Sequence, residues 1–335
     1  MLPPKAHSGC SSFDKSKVKG KDMTKILAVV GPTASGKSAL ALSLAKRLGG
    51  DIISCDSMQV YRRMNVGTAK PTEEEMAEVR HHLIDVAEPQ ESFSAADYVS
   101  LAVKAIEDCT ARGRLPIVCG GTGLYLDALL RGEDLAPDTV DESVRAELMA
   151  FAEREGADAL WEELLRIDPE SAAATHKNNI KRVARAIEIF RVSGVTKTEL
   201  DRRSRLSGDR YDATVIGLRY EDRGTLYDRI NRRVDIMISD GLVEEARGLL
   251  EEGVFEKNAT AAQAIGYKEI LPYVRGAVTL ESASEALKMA TRRYAKRQMT
   301  WFSAKDYVNW IDIPADNKKT FEEIVNNAEK LFKKA

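Results

Sequence analysis

The 335-residue chain has little net charge, few cysteines and histidines, and no long apolar run. Its 50 Lys and Arg against 52 Asp and Glu leave a formal charge of -2, so whole-chain charge argues for no particular partner. Cys10, Cys55, Cys109 and Cys119 include no C-x-x-C pair, and the four histidines stand at no helical metal-ligand spacing. Neither a zinc site nor a disulfide framework is suggested, and a reducing, cytoplasmic setting fits best. The longest apolar stretches, such as residues 26–30, fall far short of the roughly 20 residues that cross a bilayer. The N-terminal segment also lacks the apolar core of an export signal. Residues 1–22, rich in Lys, Ser, Gly and Pro, read as a disordered tail.

What is present is a globular profile, 44% hydrophobic and 30% charged, with chain enough for about two domains. Residues 26–30 (ILAVV) are continuously apolar and partly β-branched, the pattern of a strand buried on both faces of a parallel sheet. Leu40, Ala41, Leu44, Ala45 and Leu48 recur at helical spacing and stop at Gly49-Gly50. A second strand is expected at 51–55, a helix over 95–112 and a third strand at 115–119, which together make an α/β domain. Residues 138–163 are acidic and helical in period and 177–191 basic and helical, with no strand run between them. A strand at 215–218 marks the return to the sheet, and 227–250 and 281–302 read as long helices. The expected architecture is α/β: a P-loop NTPase-like parallel sheet core (23–136 and 208–315), a helical insertion domain (137–207) and a C-terminal helix (316–335).

Gly31, Pro32, Thr33, Ala34, Ser35, Gly36, Lys37 and Ser38 match G-x-x-x-x-G-K-[ST] between an expected strand and an expected helix. Glycines at those positions let successive amides aim at phosphate oxygens, and the helix N-terminus adds its positive end. Lys37 contributes a point charge, and Ser38 can ligate Mg2+. The loop recognises a polyphosphate and leaves the rest of the ligand open. No Walker B acid follows the third strand, which runs into Gly120-Gly121-Thr122-Gly123. The nearest carboxylate by topology is Asp56, at the carboxyl end of the second strand, where it could be a base or simply cap a turn.

Further segments complete a pattern: Asp56-Ser57-Met58-Gln59-Val60-Tyr61, Gly67-Thr68-Ala69-Lys70-Pro71, Gly120-Gly121-Thr122-Gly123-Leu124-Tyr125, Lys181-Arg182-Val183-Ala184-Arg185-Ala186, Ile265-Gly266-Tyr267-Lys268-Glu269, and Lys296-Arg297-Gln298-Met299-Thr300-Trp301-Phe302. With the loop, and in this order from Lys25 to about Trp310, they resemble the tRNA dimethylallyltransferase family. Nothing resembles the C-terminal zinc finger of its eukaryotic members, so the bacterial form is implied. The resemblance implies transfer of a dimethylallyl group from dimethylallyl diphosphate to N6 of adenine 37, in tRNAs reading codons that begin with U. The P-loop would then cradle a leaving group, which accounts for the missing Walker B acid. Asp56 matches the family's base, and Thr33 lies within the loop. Arg233 matches the arginine that reaches the diphosphate, with Arg229 and Arg232 competing for that assignment on neighbouring faces. The tRNA-contacting segments implied are Asp56 to Gln59, Lys181 to Arg185, Gln263-Ala264-Ile265-Gly266-Tyr267-Lys268 and Lys296 to Ser303, with Thr122 and Arg145 as isolated contacts.

The charges of the nearly neutral chain are segregated. Lys177, Lys181, Arg182 and Arg185 form one basic group, and Arg292, Arg293, Lys296 and Arg297 another, each able to face phosphates or only solvent. The anticodon stem-loop of tRNA, dimethylallyl diphosphate and Mg2+ are the expected partners of a monomer. A small-molecule kinase, with Arg202, Arg203 and Arg205 clamping ATP, is the chief rival.

Overall fold

The structure is a computed structural model that describes residues 23–131, 141–206, 208–314 and 320–334. The tail 1–22 and the outer boundary at 137 thus lie outside the described residues. Strand β1 (Lys25–Val30) leads into helix α1 (Lys37–Leu48), followed by β2 (Gly50–Cys55), α2 (Glu73–Glu78), β3 (His81–His82), α3 (Ala95–Ala111), β4 (Leu115–Gly120) and α4 (Gly123–Arg131). Helices α5 (Glu142–Glu155), α6 (Ala157–Ile167), α7 (Pro169–Ala174), α8 (Ile180–Ser193) and α9 (Lys197–Leu206) come next. The chain returns through β5 (Asp212–Tyr220) to α10 (Arg223–Ser239), α11 (Leu242–Glu251), α12 (Val254–Lys257), α13 (Tyr267–Val274), α14 (Leu280–Ser303), β6 (Val308–Ile313) and α15 (Phe321–Lys334).

The strands form one parallel sheet in the order β3-β2-β4-β1-β5-β6. The apolar run of β1 is central, and its alternation feeds two cores. Ile26, Ala28 and Val30 pack with α3 and α4, while Leu27 and Val29 pack with α1 and α15. Because β1 lies between β4 and β5, the chain leaves the carboxyl ends of β1 and β4 side by side, and a crevice opens where such sheets bind ligands. Helices α5 to α8 pack on one another around Leu148, Leu160, Leu164, Val183 and Ile187, a hydrophobic cluster separate from both sheet faces.

Three expectations are corrected in detail. The helical pattern over 227–250 is two helices, because Gly241 adopts a left-handed conformation (φ 98°) and ends the run. Gly156 (φ 91°) likewise separates α5 from α6. The basic helix begins only at Ile180, leaving Lys177 ahead of it, paired with Asp158 at 2.9 Å. Strand β6 was not expected: it sits at the sheet edge, its buried Val308, Ile311 and Ile313 are interrupted by exposed Asn309 and half-buried Trp310 and Asp312, and it lacks a continuous apolar signal. No helix among the described residues is long and apolar enough to cross a membrane.

Candidate active site

The loop between β1 and α1 is shaped by its backbone. Gly31 (φ 146°) and Gly36 (φ 92°) occupy conformations that L residues rarely adopt, and Ala34 is left-handed at φ 62°. The Pro32 carbonyl accepts both the Ser35 amide at 3.2 Å and Lys37 Nζ at 3.3 Å, which curls the loop back on itself. No side chain caps α1 and no acid stands in its first turn. The helix therefore presents free amides and its positive end to the loop.

A cavity of about 770 Å³ extends from this loop. Thr33, Lys37, Ser38 and Arg233 stand at the loop end, and Asp56 to Gln59 form a wall. Asp56 Oδ1 accepts the Met58 amide at 2.9 Å, and Thr122 Oγ1 accepts the Ser57 amide at 3.1 Å, which fixes the turn after β2. Asp56 thus caps the turn and also lines the cavity. Met237, Val234, Ile230 and Leu287 supply an apolar lining. A second hollow of about 300 Å³ adjoins the loop, lined by Arg229 and Arg232 and sharing Lys37, Ser38 and Arg233 with the first. Arg229 donates to the Ala34 carbonyl at 2.9 Å. Of the three competing arginines, only Arg233 lines both spaces.

Burial pushes the Lys37 ammonium below its usual pKa; Arg233 pushes the same way, while Cys119 and Asp56 work against it. Burial also lowers Arg233, with Asp56 partly offsetting it. Two cations are therefore held in a low-dielectric pocket with one carboxylate nearby, an arrangement suited to a polyanion. The Cys119 thiol is pushed up to about 11 by burial, so it is a protonated wall group. Tyr294, which the sequence reading passed over, lines the same cavity, and its phenol is raised by burial and then by Asp56. Its signal was available: Leu287, Thr291, Tyr294 and Gln298 recur at helical spacing, and all four line the cavity.

Helix α14 is docked by Gln298 onto the end of β4 and by Trp301 onto α4. A Cβ placed on Gly121 would lie 2.0 Å from Gln298 Nε2, and one on Gly123 would lie 2.3 Å from the Trp301 ring, so both glycines are needed for close approach. Trp301 Nε1 donates to buried Asp127 at 3.1 Å, where Lys305 and Tyr307 also donate. Trp301 remains 36% exposed.

The expected RNA contacts separate on burial. Lys181, Arg182, Gln263, Lys268, Lys296, Arg297, Thr300 and Ser303 are exposed, and Met299 is half-buried. Lys181, Gln263, Ile265 and Arg297 also reach the cavity rim. Val183, Ala184, Tyr267 and Phe302 are core side chains closed to any RNA and Gly266 is buried, which corrects the segment-wide expectation, while Ala264 and Gln298 are buried from the surface but line the cavity. The reason is helical: a segment with one face outward must turn the other inward. Arg145 is exposed, and it pairs at 3.2 Å with Glu188, which is fully buried; Arg185 lies 3.1 Å from the same carboxylate. The basic group on α14 is not one surface face, since Arg292 donates to Asn231 at 2.6 Å while Arg297 lies over the Tyr294 ring. Arg202 and Arg203 pair with Glu199 on α9, and neither lines the loop cavity.

Asp51, His82 and Cys109 form a possible metal-binding group, with ligand atoms within 4.8 Å of one another. Asp51 already accepts Arg112 at 2.6 Å and Arg114 at 3.0 Å, so its charge is neutralised within the protein.

A parallel sheet whose central strand runs into a phosphate loop, with cations and a carboxylate around one cavity, defines a P-loop-like α/β protein. Residues 59–305 match the family model described as IPP transferase, and the chain belongs to that family. It is 50% identical to the tRNA dimethylallyltransferase of Halalkalibacterium halodurans over 303 residues, covering 90% of this chain and 96% of the relative. To that of Bacillus subtilis it is 47% identical, covering 89% and 95%. Among solved structures, it resembles the full-length tRNA isopentenylpyrophosphate transferase of Bacillus halodurans (46% identity, TM-score 0.67, covering 92% of this chain and 97% of that one). It also resembles a eukaryotic dimethylallyltransferase acting on tRNA (29% identity, TM-score 0.76, covering 88% and 75%).

Proposed function

We propose that this chain transfers a dimethylallyl group from dimethylallyl diphosphate to N6 of adenine 37, in tRNAs that read codons beginning with U. The observation that carries this reading is the shared cavity: Lys37, Arg233 and Asp56 line one space, whose rim also includes the exposed Arg297 of α14. The relatives' names support the same chemistry.

The allylic C–O bond breaks as the C–N bond forms, and the electron pair leaves on the diphosphate. Lys37, Arg233 and the loop amides neutralise that growing charge, and this electrostatic stabilisation is the main source of rate. The exocyclic amine is a weak nucleophile, because its lone pair is delocalised into the ring. Its proton passes to Asp56. Thr33 offers its hydroxyl to the diphosphate. Ser38 is exposed beside the loop, and its hydroxyl together with diphosphate oxygens makes the hard-oxygen donor set that suits Mg2+. When bound there, the ion supplies Lewis-acid help to the leaving group. The target base leaves its stack to enter the cavity.

We take 137–207 as a helical insertion domain that approaches the anticodon stem-loop through Lys181 and Arg182, on a core formed by 23–136 and 208–315. The protein acts as a cytoplasmic monomer. The test is incubation with unmodified tRNA and labelled dimethylallyl diphosphate or labelled ATP. Label from the first should enter the tRNA; transfer from ATP alone would overturn the reading.

A further inference from the structure

Resting on the transferase reading above, we infer that Gln298 is a positioning residue for the diphosphate loop and not an RNA contact. It stands in the middle of the basic stretch 296–303, yet it is only 5% exposed. Both ends of its amide are engaged. Oε1 accepts the Thr33 amide at 2.8 Å, and Nε2 donates to the Gly121 carbonyl at 3.0 Å. These partners fix the orientation of the amide, since one can only donate and the other only accept.

Thr33 and Gly121 follow the ends of β1 and β4, which are paired to their last residues, Val30 with Gly120. The side chain therefore ties two adjacent strand ends together from a third element, α14. The bare Gly121 belongs to the same device, because the amide occupies the space a Cβ would take. Side chains of similar length lack the needed pair of groups: Met offers neither, and an ionised Glu has no donor for the Gly121 carbonyl. The consequence falls on the loop. With the Thr33 amide held, the curl that carries Lys37 and Ser38 is set before the donor arrives, so less ordering is left to binding.

The experiment uses the full chain and two variants, Gln298→Met and Gly121→Ala. Four quantities are measured: the Kd of inorganic diphosphate with Mg2+, the Kd of unmodified tRNA without donor, and the KM and kcat for dimethylallyl diphosphate. Gln298→Met should raise the diphosphate Kd and donor KM about ten-fold, from the loss of two buried hydrogen bonds. The tRNA Kd should stay within about two-fold. Gly121→Ala, which keeps the glutamine but displaces it, should reproduce that pattern. Weakened tRNA binding with unchanged diphosphate binding would overturn the inference, as would parallel loss of both ligands or a silent Gly121→Ala. Failure of the transferase reading shows itself separately, as wild-type protein that binds diphosphate yet moves no label to tRNA.

Discussion

Tyr267 donates its hydroxyl to Glu245 at 2.7 Å, and that same carboxylate accepts the backbone amides of Asn65, Val66 and Gly67. Two core elements thereby hold the start of the loop whose continuation, Gly67 to Pro71, walls the cavity. Lys70 secures its far end by donating to the Tyr61 carbonyl and to Asp85, each at 2.6 Å. Glu245→Ala would strand a buried phenol and three amides. The expected loss is about 2–3 kcal/mol in urea unfolding, with faster amide exchange at 65–67; a loss under about 1 kcal/mol would remove Glu245 as the anchor.

Asp56→Asn tests the base. The amide oxygen can still accept the Met58 amide, so the turn survives while the proton acceptor is lost. Transfer should fall by about 10²–10⁴-fold with tRNA affinity within about three-fold. Near-normal turnover would end the assignment.

Lys37 carries a stability cost in the unliganded protein. Its folded pKa lies below the unfolded one, so between the two values the unfolded chain binds more protons, and stability rises with pH across that window. Lys37→Met should remove that rise, increase Tm by about 2–4 °C near neutrality and abolish the Tm shift produced by added diphosphate. Melting curves with and without diphosphate decide it. A lower Tm without ligand would mean that the ammonium stabilises the fold.

Salt dependence separates RNA-facing charge from structural charge. Arg293 and Lys296 are exposed on α14 and line neither cavity. Arg293→Ala with Lys296→Ala should reduce the slope of log tRNA affinity against log salt by about 1.4, at about 0.7 per contact, with diphosphate affinity unchanged. Arg145→Ala should leave that slope intact, because its partner is Glu188. An unchanged slope in the double variant would return this part of α14 to a solvated face.

Local order along the chain was enough to read the phosphate loop. Its chemistry lies in eight consecutive residues, and the flanking strand and helix declare themselves by periodicity. Asp56 was legible for a related reason: parallel sheets place ligands beyond strand ends, so a carboxylate following a strand is in the right region before any coordinates exist. The continuous run of β1 likewise declared a strand covered on both faces.

Tertiary structure alone decided which faces of the basic segments look outward. Lys181 and Val183 are near neighbours in sequence, but one reaches the cavity rim and the other fills the core of α5 to α8. The family pattern pointed to Arg233 with Arg229 and Arg232 as competitors, and only the set of α10 against the loop shows which of the three enters both hollows. Gln298 shows the limit most clearly. Its partners, Thr33 and Gly121, are 265 and 177 residues away. A hydrogen bond spanning such distances leaves no periodic trace, because it exists only once the sheet has brought the ends of β1 and β4 together and α14 has docked on them.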